Sequence, residues 1–328
     1  MKRILLLSMG GTIASAPTES GLSPAFTPDE MLKLIPELET ICIIGTEEVV
    51  SLDSTNIQPE EWKELAKRIY SHLDEYDGFV VSHGTDTMAY TAAALSYMLK
   101  GLKKPVILTG AQLPIDYPGS DGKDNLLNAF RAAIAGAAGV YLAFNGIIIR
   151  GTRASKLYTE NFAAFQSINA PIAGLIQEGG VFQQGRAVYT NPIPLPEGET
   201  KLMAYADPRV FVYKLIPGAD PAMVDMAVQL GYRGILIEAY GAGGVPNYRR
   251  NFLPSIKRAT EAGVVVLCAT QCLYEGTNPD SYVVSSLPME AGAISTGNRT
   301  IEASAVKLMW ALEQSDDPKE VIRIWKED

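Results

Sequence analysis

Histidine is almost missing from this chain: His72 and His83 are the only two among 328 residues. His72 falls on the surface of a predicted helix. A multi-histidine metal site is therefore excluded, and a Ser-His-Asp triad would have to use His83. Cysteine is nearly as rare. Cys42, Cys268 and Cys272 are an odd set that builds no disulfide framework, and Cys268 and Cys272 lack the second pair a zinc site needs. Positive charge is in deficit, with 28 Lys and Arg against 37 Asp and Glu and a formal charge of -9, which argues against nucleic acid as a main partner. Long apolar runs are absent too. The most apolar window, residues 132–149, is broken by Gly136, Gly139, Asn145 and Gly146, and reads as a helix followed by buried strands, with no membrane association expected. Lys2-Arg3, an apolar run and Ala14-Ser15-Ala16 imitate a secretory signal, but the run covers only Ile4 to Leu7 before Gly10-Gly11 interrupts it. Without a signal, three thiols point to a reducing cytoplasm.

Standard cofactor motifs are lacking as well. There is no G-x-x-x-x-G-K-[ST], and Gly241-Ala242-Gly243-Gly244 wants the third glycine of a dinucleotide fingerprint. The two S-x-x-K matches, Ser120 to Lys123 and Ser304 to Lys307, have neither S-D-N nor K-T-G beside them. No cofactor and no metal are expected.

What is present describes a soluble globular chain, 47% hydrophobic and 20% charged, long enough for two domains. Ile4 to Leu7, Val49 to Asp53, Gly78 to Ser82, Pro105 to Thr109 and Val140 to Phe144 read as buried strands. They alternate with helical segments such as Met88 to Leu99 and Leu126 to Ala135, which predicts an α/β fold with a parallel, doubly wound sheet. Prolines and glycines crowd the region between Gly185 and Asp220, after which alternation resumes. The expected layout is a large N-terminal domain over 1–186, a linker over 187–208 and a smaller C-terminal α/β domain over 209–328. Residues 15–28 show no periodicity and read as a long, mobile loop.

Right-handed crossovers put the strand-to-helix turns on one edge of such a sheet, where open α/β sheets bind ligands. Three of those turns join glycine to polar residues: Gly11-Thr12, Gly84-Thr85-Asp86 and Gly110-Ala111-Gln112. One such turn is an ordinary loop; three on one edge make a candidate site. A threonine hydroxyl attacks poorly unless a neighbour takes its proton. Asp86 beside Thr85, with Lys156 brought from the basic turn after Ile147–Ile149, would form a Thr-Lys-Asp relay with the lysine as base. Main-chain N–H groups at the glycine turns would supply an oxyanion hole, worth on the order of 3 kcal/mol per donor.

At these residues the chain resembles the L-asparaginase/glutaminase family, in its bacterial type I and archaeal branch. The matching stretches are Gly10-Gly11-Thr12-Ile13-Ala14, Asp53-Ser54-Thr55, His83-Gly84-Thr85-Asp86-Thr87-Met88, Thr109-Gly110-Ala111-Gln112 and Arg153-Ala154-Ser155-Lys156, in family order and spacing. The resemblance implies Thr12 as the nucleophile on a side-chain carboxamide, with Thr85, Lys156 and Asp86 relaying protons and activating water. It further implies that Asp86 faces the ammonium of L-asparagine, that Asp53, Ser54 and Thr55 hold its α-carboxylate and ammonium, and that the protein self-associates as a homodimer or tetramer. Two other readings share the scaffold: the asparaginase-like subunit of an archaeal glutamyl-tRNA amidotransferase, disfavoured by the acidic charge and by the short stretch before Thr12, and a non-catalytic amino-acid binding module. One departure stands out. The family carries a tyrosine on the loop after the nucleophile, whereas here that loop reads Glu19-Ser20-Gly21-Leu22-Ser23 and no tyrosine precedes Tyr70. Either another tyrosine such as Tyr274 reaches in, or water and the Thr85–Lys156 pair activate Thr12.

Overall fold

The computed structural model describes residues 1–18, 21–177 and 185–327. Its first strand, β1 (Arg3–Gly10), is apolar from Ile4 to Leu7 and buried at every position after Arg3, as a strand covered on both faces must be. The main sheet adds β2 (Ile43–Leu52), β3 (Gly78–Ser82), β4 (Pro105–Thr109), β5 (Gly139–Phe144), β6 (Ile147–Arg150), β7 (Gly174–Gln177) and β8 (Arg186–Tyr189), in the spatial order β8-β7-β6-β5-β4-β3-β1-β2. Pairing is parallel from β2 through β5. The remaining edge departs from the parallel expectation: β6, β7 and β8 are each antiparallel to their neighbours. The cause is local. Asn145 and Gly146 both adopt positive φ, 46° and 77°, the signature of a two-residue hairpin turn that sends β6 straight back along β5.

Both faces of this sheet are covered. Ile4, Leu6, Val80, Ile107, Tyr141 and Ile148 meet Leu126, Ala129 and Phe130 of α4 (Gly122–Ala135) and Met31 of α1 (Pro28–Lys33). Their alternating neighbours Leu5, Leu7, Phe79, Val81 and Leu108 are equally buried and point the other way. The helices α2 (Pro59–Ser71) and α3 (Met88–Met98) pack against each other, and α3 against β4 and β5. A capping box of Gln58 and Glu61 starts α2, with Trp62, Leu65, Ala66 and Ile69 on its buried face.

Two segments read as loops are built differently. Ser15–Thr18 pairs antiparallel with Gly21–Pro24, so the stretch expected to be a long loop contains two paired strands. Of the loop positions singled out in the sequence, Glu19 and Ser20 lie outside the described residues. The proline-rich stretch expected to link the domains is largely taken up by the first one. It begins inside β8, and Lys201–Leu202 pairs with Leu99–Lys100, so the chain divides into compact units at Met1–Ala204 and Tyr205–Asp328.

The second unit holds a four-stranded parallel sheet in sequence order: β9 (Val210–Lys214), β10 (Gly234–Ala239), β11 (Val265–Thr270) and β12 (Ile294–Ser295). Val224 and Ala227 of α5 (Ala222–Gln229), with Ile256 and Ala259 of α6 (Leu253–Glu261) and Phe252 just before it, pack on Ile235, Ile237 and Val266. Asp207, 6% exposed, anchors the unit's polar side. Arg209 donates to both its carboxylate oxygens at 2.9 and 2.7 Å, and Arg233 donates at 3.0 Å while also reaching the Leu312 and Ser315 carbonyls. Burial alone would raise the Asp207 carboxyl, but these bonds outweigh it and hold it at about 2.

Candidate active site

Gly10 and Gly11 end β1 with φ of 86° and 85°. No other residue type fits, because a Cβ on Gly11 would lie 2.3 Å from the Gly84 nitrogen and one on Gly10 would lie 2.6 Å from the Leu52 nitrogen. Gly11 N–H donates to the Leu52 carbonyl at 3.0 Å. The carboxyl ends of β1, β2 and β3 are thereby drawn into main-chain contact. Thr12 follows directly, opening a short turn (Thr12–Ala14) in which it is half-buried and Ile13 fully buried. The Ser15 hydroxyl closes that turn by donating to the Gly11 carbonyl at 2.9 Å.

The turn after β3 meets the one after β2 at Gly84, where a Cβ would lie 2.6 Å from the Ser54 Oγ. Ser54 is buried, and its carbonyl accepts from the Thr87 hydroxyl at 2.7 Å. Asp53 and Thr55 are turned toward each other: one carboxylate oxygen accepts from Thr55 N–H at 2.8 Å and from its hydroxyl at 2.6 Å. Those bonds, hydroxyl first, hold the Asp53 carboxyl below its ordinary range.

Thr85 is 6% exposed and is met from two sides. The Lys156 ammonium donates to its Oγ1 at 2.7 Å and to the Asp86 carboxylate at 2.6 Å, while the Thr85 hydroxyl donates to Gln112 Oε1 at 3.2 Å. Lys156 sits on the strand Ala154–Lys156, held by pairing with Phe165–Ser167. Its side chain is largely buried while that of Asp86 is half-exposed, so the ion pair bridges the interior of the site and solvent.

Gln112 carries a support that motif reading missed. Its side-chain amide donates to the Thr159 and Asn161 carbonyls, and its own N–H donates to both Asp121 oxygens at 3.0 and 3.1 Å. Buried Asn125 donates to Asp121 and to the Gly110 carbonyl, and accepts from Asn145 N–H. Burial raises the Asp121 carboxyl despite these bonds. The signal available in sequence was only the polar Ser120-Asp121-Gly122 start of α4, which reads as a helix cap.

His83, the one histidine open to a triad, takes no such part. It is fully buried, with Nδ1 2.7 Å from the Gly84 carbonyl and Nε2 2.9 Å from the Thr91 hydroxyl. Cys42 and Cys268 are buried, Cys272 is exposed, and all three are free thiols.

Comparison with known proteins shows the family of the chain. Residues 3–189 match the family model described as Asparaginase, N-terminal, and residues 209–324 the one described as Glutaminase/Asparaginase C-terminal domain. An L-asparaginase of Thermococcus kodakarensis is 41% identical over 323 residues, 98% of this chain and 96% of that protein. A glutamyl-tRNA(Gln) amidotransferase subunit of Pyrococcus furiosus is 38% identical over 97% of this chain and 73% of its own length. Among solved structures, the thermostable L-asparaginase from Thermococcus kodakarensis superposes with a TM-score of 0.92 at 37% identity, covering 99% of this chain and 97% of that one.

Proposed function

Since the chain belongs to the asparaginase family, a family of linear-amide hydrolases, we propose that it converts L-asparagine and water to L-aspartate and ammonia through an acyl-enzyme on Thr12. The observation that carries this reading is the Lys156–Thr85–Asp86 cluster, tied to the Thr12 turn by the Gly11–Gly84 contact. The Thr12 hydroxyl oxygen attacks the side-chain carboxamide carbon, and main-chain N–H groups of the glycine turns stabilise the tetrahedral oxyanion. Collapse expels the nitrogen as ammonia and leaves an aspartyl ester on Thr12. With no tyrosine ahead of Tyr70, and with the Lys156 ammonium already protonated and donating to Thr85 and Asp86, the proton leaving Thr12 passes through water to the departing nitrogen. Thr85, polarised by the Lys156 ammonium, then orients the water that hydrolyses the ester. Asp86, half-exposed at the site's edge, faces the substrate ammonium, and Ser54 with Asp53 and Thr55 holds the α-carboxylate end. Self-association as a homodimer or tetramer and a cytoplasmic location, consistent with three free thiols, complete the reading.

A second reading has support in the amidotransferase relative: glutaminase activity serving a tRNA-dependent partner. The formal charge of -9 weighs against tRNA contact. Ammonia release measured side by side on asparagine and glutamine, with and without tRNA, separates the two. Turnover of free asparagine should be unaffected by tRNA, and tRNA-dependent glutamine turnover would replace the first reading with the second. Binding of asparagine with no ammonia released would select a binding module instead.

A further inference from the structure

The mechanism uses nothing of His83, yet this side chain has no exposed surface and both its ring nitrogens are engaged next to the reacting groups. The hydrogen bonds assign its tautomer. A carbonyl oxygen only accepts, so the 2.7 Å contact with Gly84 requires a proton on Nδ1. The partner at Nε2, the Thr91 hydroxyl, already accepts from the Trp62 indole N–H at 3.0 Å, which leaves its own proton to donate to Nε2 at 2.9 Å. Burial pushes the imidazole down to about 4, in keeping with this neutral form.

The resulting chain runs Trp62 to Thr91 to His83 to the Gly84 carbonyl. It links α2 and the first turn of α3 to the turn that carries Thr85. The peptide bonds are all trans among the described residues. In a trans peptide the carbonyl and the following N–H point in opposite directions, so fixing the Gly84 carbonyl also fixes the Thr85 N–H on the far side of that plane. It also sets the backbone angles from which the Thr85 side chain projects toward Lys156. Gly84 has little freedom elsewhere, since its main chain lies against Gly11 and Ser54.

We infer that His83 is a positioning residue, which through the Gly84 carbonyl sets the orientation of the Gly84–Thr85 peptide and hence of the Thr85 hydroxyl. The inference rests on the reading of Thr85 as part of the catalytic group. The pair Thr91→Val and Thr91→Ser tests it, because valine removes the hydroxyl at nearly constant shape and serine restores it. Thr91→Val is expected to lower kcat about 10-fold or more with KM within about 2-fold, and Thr91→Ser to recover most of the loss.

A second readout is independent of turnover. With only two histidines in the chain, an NMR spectrum of protein labelled with 15N-histidine contains two imidazoles, and a His72→Gln variant assigns them. Wild-type His83 should show a protonated Nδ1 and an unprotonated Nε2 throughout pH 5–9. Thr85 amide exchange should quicken about 10-fold in Thr91→Val. A His83 protonated on Nε2, one that titrates within that range, or unchanged kcat in Thr91→Val would overturn the inference. If the wild-type protein releases no ammonia from asparagine or glutamine, the functional reading fails by itself, and the tautomer and amide exchange still decide the role of His83.

Discussion

Replacing Gly11 with alanine probes the contact on which the site is built. The new Cβ would lie 2.3 Å from the Gly84 nitrogen, where ordinary van der Waals contact begins at 3.4 Å. The two turns must therefore separate by about 1 Å, because the obstacle is main chain and cannot rotate aside. A displacement of that size between reacting groups costs roughly 10²-fold in rate. With φ of 85° and ψ of 178°, Gly11 lies in a region essentially reserved for glycine, which adds about 1–3 kcal/mol of backbone strain for an L-residue. Gly198 provides the control: its φ is also positive, at 76°, but a Cβ there meets nothing within 4 Å. Gly198→Ala should thus carry a positive-φ cost without a main-chain clash and keep full activity. Ammonia release at saturating asparagine, with melting temperature measured on the same samples, reads both effects. Wild-type kcat in Gly11→Ala would refute the claim that the Gly11–Gly84 contact sets the geometry.

Two further outcomes follow from single interactions. Lys156→Met removes the donor to both Thr85 and Asp86, and should lower kcat by roughly 10²–10⁴-fold; a loss confined to KM would reassign Lys156 to binding. In the second unit, the Asp207 carboxyl is depressed from 3.8 to about 2 by its arginines. Its contribution, roughly 2–3 kcal/mol, is complete above pH 4 and fades as pH falls toward 2. The melting-temperature gap between wild type and Asp207→Asn should therefore be wide at pH 7 and close by about pH 2, and an equal gap at both values would contradict the assignment.

Much of the candidate site was legible in sequence because its parts are local. A short apolar strand, paired glycines and a hydroxyl mark each turn wherever they occur, and crossover handedness brings such turns to one edge. Strand direction was harder to read. A strand buried on both faces is an apolar run whichever way it points, so the reversal of Ile147–Arg150 lay in the Asn145-Gly146 turn rather than in the strand itself. The pairing of Ser15–Thr18 with Gly21–Pro24 was hidden because neither four-residue strand shows a periodicity, although prolines are tolerated where a strand lies at an edge. Asp121 and Asn125 support Gln112 through contacts that have no periodicity, and nothing but coordinates brings them to notice. His83 stood in plain view as a possible triad base, and only its two hydrogen bonds show a side chain turned inward.

Ammonia release from asparagine by Thr12→Ala tests the central claim most directly. The expected result is a correctly folded variant, with the melting temperature of the wild type, that has lost turnover. Undiminished turnover in that variant would remove Thr12 from the reaction and the acyl-enzyme with it.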